Sequence, residues 1–119
     1  MKYMLLLNRN GDATPDFSAP QYQDTVRAYG EAIDAMRAAG VFVDTAPLAA
    51  RSSGTVVRVR DGETILTDIP AAEIKEQLGG YTIVDCENLD EALKWAARIP
   101  AAWEASIEVR PIVEVPARV

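Results

Sequence analysis

The sequence predicts an α+β domain: two β-α-β halves whose helices share one face of an antiparallel sheet. Three observations carry this. "KYMLLLN" (Lys2 to Asn8) is an almost wholly apolar run of strand length. Two stretches, starting near Tyr22 and Leu89, repeat apolar residues at helical spacing. Between and after them lie Val-, Ile- and Thr-rich runs bounded by turn residues. The resulting order, β-α-β, a hairpin, then β-α-β, is the ferredoxin-like split βαβ arrangement in a single domain over residues 1–119.

After the first strand, "NRNGDATPDFSAP" is dense in Gly, Pro, Asn and Asp and reads as a solvated loop. Ser18 is placed to cap the first helix, where Tyr22, Val26, Tyr29, Ile33 and Met36 recur at steps of four and three. Gly40 supplies its left-handed stop. "VFVDTAPL" follows as a strand broken at Pro47. "TVVRVRDGETILT" is a hairpin, because Asp61-Gly62 between two β-rich runs is a tight-turn signal. Asp68 can cap a short helix with Pro70 in its first turn, "AAEIKEQ" as its body and Gly79-Gly80 as its end. "GGYTIVDCE" is the next strand. The second helix has Asn88 as N-cap, Glu91 as reciprocal partner, Leu89, Leu93 and Ala96 joined by Ala92 as its apolar stripe, and Pro100 as its stop. "SIEVRPIVEV" alternates as the last strand, with Ile107, Val109, Pro111 and Val113 opposite Glu108, Arg110 and Glu114.

Strand parity sets an expectation for assembly. Tyr3, Leu5 and Leu7 point one way and Met4 and Leu6 the other, so the first strand is apolar on both faces. A strand wetted on one side should alternate. The economical solution covers the helix-free face with the same face of a second copy, giving a two-fold homodimer. Parity also puts Arg58 and Arg60 opposite Val57 and Val59, and Glu108 and Arg110 opposite Val109. These charges then fall in or around the subunit interface, as rim ion pairs, as solvated groups, or as the lining of a pocket for an acidic small molecule.

Composition excludes several function classes. A net charge of −6, with basic residues scattered among acids, argues against nucleic acid as a partner. No apolar run approaches the roughly 20 residues of a membrane span, and the N-terminal apolar run is too short for a signal-peptide core, so the expected location is cytoplasmic. The chain has no histidine and one cysteine, Cys86, flanked by Asp85 and Glu87. This removes the commonest general base and the usual transition-metal ligands, and it disfavours a nucleophilic thiolate, so no metal and no cofactor are expected.

"RVRDGETILTDIPAAEIKEQLGGYTIVDCENLDEALKWAARIP" followed by "IEVRPIVE" resembles the YCII-related family in its DGPF-domain branch, and the likeness extends back to "KYMLLL". The resemblance implies a dimeric α+β barrel formed through the sheets. It also implies uncharacterised relatives, some beside or fused to sigma factors of the extracytoplasmic-function type and a few suspected of enzymatic activity. The branch's signature tetrapeptide is here Asp68-Ile69-Pro70-Ala71, without its glycine and phenylalanine, and the His-Asp pair suspected in other relatives has no histidine to supply it.

Two functional readings follow. The first is a non-catalytic dimer binding a small acidic ligand, or a protein partner such as a sigma-factor domain. Its ligand-binding candidates are Arg58, Asp68, Tyr81, Glu108 and Arg110. The alternative is a cofactor-free enzyme of the isomerase or lyase kind acting on a small organic acid or lactone, with Asp68 as candidate catalytic residue. Glu73, Asp85, Glu108, Tyr3 and Tyr81 are further possible acids or bases.

Overall fold

The computed structural model describes residues 1–70 and 75–118. Its elements are β1 (Lys2–Asn10), α1 (Gln23–Ala38), β2 (Phe42–Pro47), β3 (Thr55–Arg60), β4 (Glu63–Asp68), β5 (Glu76–Asp85), α2 (Leu89–Ala96), α3 (Pro100–Glu104) and β6 (Ile107–Pro111). Among the described residues, four strands form one antiparallel sheet in the order β2-β5-β1-β6, while β3 and β4 pair only with each other. That sheet order is the ferredoxin-like one, with the β3–β4 hairpin inserted between its second and third strands.

Strand parity holds over residues 3–7 of β1 and 80–84 of β5. Tyr3, Leu5 and Leu7 are buried, and opposite them stand Val84, Thr82 and Gly80 of β5. Ala32 and Met36 of α1, Ala92 and Ala96 of α2, and Ile99 and Ala101 complete this core. The other face presents Met4, Leu6, Tyr81 and Ile83 with Glu108 and Arg110, and among the described residues no helix covers it.

Helix ends follow local chemistry. At the end of α1, Gly40 has φ +74°, the Val41 amide donates to Met36 O and the Gly40 amide to Arg37 O, the Schellman pattern, with Val41 and Met36 both buried. At the start of α2, Asn88 Oδ1 accepts from the Glu91 amide at 3.0 Å. The Glu91 carboxylate accepts from the Glu87 amide at 2.8 Å, one residue earlier than the reciprocal bond expected. Asp61 (φ 51°) and Gly62 (φ 77°) make the two-residue turn joining β3 to β4, both central residues at positive φ as a type I′ turn requires.

Several expectations need correction. Ser18 caps nothing: its amide and hydroxyl both bond Asp16 Oδ1, and α1 is entered through a 3-10 turn at Pro20–Tyr22. Pro100 does not simply end the second helix; it occupies the first turn of α3, where its missing N–H costs nothing. Leu89 and Leu93 are exposed while Ala92 and Ala96 are buried, because the small side chains let α2 lie close on the sheet. Val113 lies beyond the last strand and is exposed. Glu76 to Gly80 belong to β5 rather than to a helix and its stop. Most of the expected helix body, residues 71–74, lies outside the described residues, as does Glu73. Arg58 and Arg60 sit on a separate hairpin and not on the helix-free sheet face.

Among the described residues, no helix is long and apolar enough to cross a membrane.

Candidate functional site

The inward row of β1 does not stop at Leu7. Two residues further on, the same parity brings Arg9 to the helix side of the sheet, at the edge of the core. A register shift lies beside it: Leu7 pairs with Gly80 and Asn8 with Leu78, which leaves Gly79 as the extra residue of a bulge in β5. The Arg9 side chain lies over Gly79, where a β-carbon would come 2.9 Å from Arg9 Cβ and 3.0 Å from Cζ. Its Nη2 donates to Gly79 O at 2.8 Å and Leu48 O at 3.0 Å. Among the described residues no carboxylate forms an ion pair with it. Gly80 serves a different end, since a β-carbon there would fall 2.8 Å from Ala46 O of the neighbouring strand.

Above Arg9 opens a cleft of about 460 Å³, between the first half of α1, the loop after β1, α3 and the ends of β1, β2 and β5. That size suits a small organic molecule. The periodic face of α1 explains it. Met36 and Ala32 fill the core, whereas Tyr22, Val26, Tyr29 and Ile33 line the cleft, so one apolar stripe divides between core and cavity. Phe17, packed edge-to-face on Tyr22 at 5.5 Å, forms part of the loop wall. That loop is tied down by the Gly11 amide on Lys75 O and by the Ala50 amide on Thr14 Oγ1. α3 is fixed from below, with Asn10 Nδ2 donating to Glu104 O and Asn8 Nδ2 to Ser106 Oγ, which in turn donates to Glu76.

The polar groups of the cleft are few. Tyr29 is half-buried, and desolvation pushes its phenol pKa up. The Glu104 carboxylate adds to the rise, and the Ala101 amide and the Arg9 guanidinium oppose it. The net effect keeps Tyr29 protonated at neutral pH, as a hydrogen-bond donor in a cleft that Arg9 and Glu104 also line. Thr45 also lines the cleft; its hydroxyl bonds Tyr81 O and Thr82 Oγ1, both at 2.9 Å. The arrangement offers a positive anchor, a phenolic donor and a carboxylate along a largely apolar trough. Among the described residues no group of His, Cys, Asp or Glu is placed to hold a metal.

The candidates named from sequence lie elsewhere, and none lines this cleft. Arg58 is exposed on β3, and Asp68 is exposed at the end of β4. Tyr81 is on the helix-free face, where its hydroxyl donates to Asp44 Oδ2 at 2.9 Å. That bond, with the aspartate charge, raises its pKa. Glu108 and Arg110, on the same face, are ion-paired to each other. The structure thus brings Tyr81, Glu108 and Arg110 to one face and leaves Arg58 and Asp68 on the hairpin. Of the other acid-base candidates, Tyr3 is buried in the core and Asp85 is ion-paired to the N-terminal amine at 3.0 Å. Cys86 is buried, and desolvation, with Glu91 and Asp85 nearby, pushes its thiol pKa up.

Residues 1–116 match the profile of the YCII-related domain. The chain belongs to the YCII-related family. An uncharacterised protein of Rhizobium meliloti (strain 1021) is 33% identical over 114 residues, 94% of this YCII-related chain and 92% of that protein. Among solved structures, the 5-chloro-2-hydroxyhydroquinone dehydrochlorinase of Burkholderia phenoliruptrix AC1100, in complex with 2,5-dihydroxybenzoquinone, superposes with a TM-score of 0.49. It is 14% identical, and the alignment covers 97% of this chain and 96% of that one.

Proposed function

We propose that this protein binds a small organic acid in the α1–α3 cleft, with Arg9 holding the anionic group. Tyr29 donates to the same group or to an adjacent oxygen, and Val26, Ile33 and Phe17 take the apolar body. One observation carries the reading: a guanidinium on the inward row of a core strand, with no carboxylate partner among the described residues, opens onto an apolar trough. A charge held at the edge of a core is costly unless something compensates it, and two carbonyls accept from its Nη2 without neutralising it. Glu104 suits a hydroxyl or amine on the same ligand, which makes small hydroxy acids the best fit.

The unit that does this is proposed to be a cytoplasmic homodimer formed through the helix-free face. There Tyr81 meets Asp44 and Arg110 meets Glu108 within one chain, so these groups reach the interface already paired. Arg58 and Asp68 are available to a second copy or to another protein, a sigma-factor-related one included.

A second reading is favoured by Tyr29 alone. A protonated phenol beside a carboxylate is an acid-base pair that needs no histidine, and it would serve isomerase or lyase chemistry on the bound acid.

A thermal-shift panel of small hydroxy acids, run on wild type and Arg9→Met, tests the binding reading. Stabilisation by one or more acids that is lost in Arg9→Met is the expected result. Equal stabilisation of both proteins, or none at millimolar ligand, contradicts it. Turnover of a stabilising acid that Tyr29→Phe abolishes while binding persists would establish the second reading.

A further inference from the structure

The β3–β4 hairpin is an arm. Among the described residues it shares no ladder with the main sheet, and from Thr55 to Asp68 only Val56 is not exposed. The chain has a radius of gyration of 16.6 Å, whereas a compact chain of this length would have about 13.5 Å. A lone two-stranded hairpin is marginal in water, yet this one keeps full register over six pairs.

Its two faces differ. One carries Val57 paired with Leu66 and Val59 paired with Thr64, and Val57, Val59 and Leu66 are each about 60% exposed or more (61%, 59% and 65%). The other carries Arg58 opposite Ile65 and Arg60 opposite Glu63. An apolar row on a projecting ribbon is an aggregation hazard unless it has a partner.

Resting on the dimer reading above, we infer that the arm of each subunit docks its Val57–Val59–Leu66 row on the second copy and supplies much of the dimer's stability. Area singles out this occupant. The helix-free face, four strands wide and about five paired residues long, projects only about 300 Å². A stable interface buries about 800 Å² per partner. An arm about 20 Å long and two strands wide adds roughly 200 Å² in projection on each of its faces. Face, docked arm face and the patch of body that the partner's arm covers come to roughly 700 Å² per subunit, near the size that the face alone lacks.

Sedimentation velocity across a micromolar dilution series tests this on the full chain, using wild type, the arm variant Val57→Ser/Leu66→Ser and the sheet-face variant Leu6→Lys. The expected result is a wild-type dimer whose dissociation constant rises at least about tenfold in the arm variant, with unchanged circular dichroism. A dimer broken by Leu6→Lys but indifferent to the arm variant overturns the arm proposal and leaves the dimer reading standing. A monomeric wild type at every concentration overturns both, and the arm then serves another protein. Hydrogen exchange on the unaltered chain gives an answer even if the variants fold poorly. Amides of residues 55–68 should slow as concentration rises, and exchange independent of concentration contradicts the inference.

Discussion

Arg9 and Gly79 occupy one another's space: the guanidinium donates to the Gly79 carbonyl at 2.8 Å, and a β-carbon on Gly79 would stand 2.9 Å from Arg9 Cβ. Gly79→Ala therefore displaces Arg9 from the floor of the cleft. The expected cost is about 1–3 kcal/mol in stability, with weaker binding of any acid that Arg9 holds. Gly80→Ala meets backbone of β2, at 2.8 Å from Ala46 O, and is expected to cost more, because backbone yields less than a side chain. Denaturant unfolding of both variants checks the order.

Tyr29 predicts an alkaline limb. Its pKa is raised in the folded state, so the folded protein holds this proton more tightly than the unfolded chain. The stabilisation is fully present below the unfolded value, near pH 10, and is lost as pH rises through the folded value. Tyr29→Phe should flatten the decline of melting temperature above about pH 10. Tyr81 is raised by a bond to Asp44 at the surface, and Tyr81→Phe should change the limb less. Equal curves for Tyr29→Phe and wild type would contradict the assignment.

Asn88→Ala removes the side-chain acceptor for the Glu91 amide and should cost about 1 kcal/mol, or roughly 4 °C in melting temperature. Asp68, exposed at the end of β4, predicts the opposite. Asp68→Asn should leave stability unchanged, and a loss of turnover at constant melting temperature would make it catalytic after all.

Cys86 is buried with its thiol pKa pushed up, so it should be inert to thiol reagents in the folded protein and react only on unfolding. Labelling with and without denaturant reads this directly.

Much of the fold is legible because parity and punctuation act locally. Tyr3, Leu5 and Leu7 alternate, Asp61-Gly62 demands a tight hairpin, Gly40 ends α1 and Asn88 begins α2. What misleads is tertiary. Gly79 and Gly80 read as a helix stop, but they are small because Arg9 and β2 lie against them, which no local pattern announces. Leu89 and Leu93 look like the buried stripe of α2, yet close approach to the sheet selects Ala92 and Ala96. The cleft leaves one trace in the sequence. Arg9 continues the row of Tyr3, Leu5 and Leu7, and a charge on a buried row needs a reason. Tyr29 and Ile33 look like core because they lie on the same stripe as Met36, and only the three-dimensional end of the core separates them.

A ¹H–¹⁵N NMR titration with salicylate, a small planar hydroxy acid, reads both faces of the sheet at once and decides which one meets a ligand. The predicted result is a saturable set of shifts centred on Arg9, Tyr29, Thr45 and Glu104, absent in Arg9→Met. Shifts centred on Tyr81, Glu108 and Arg110, or none at millimolar salicylate, would contradict it.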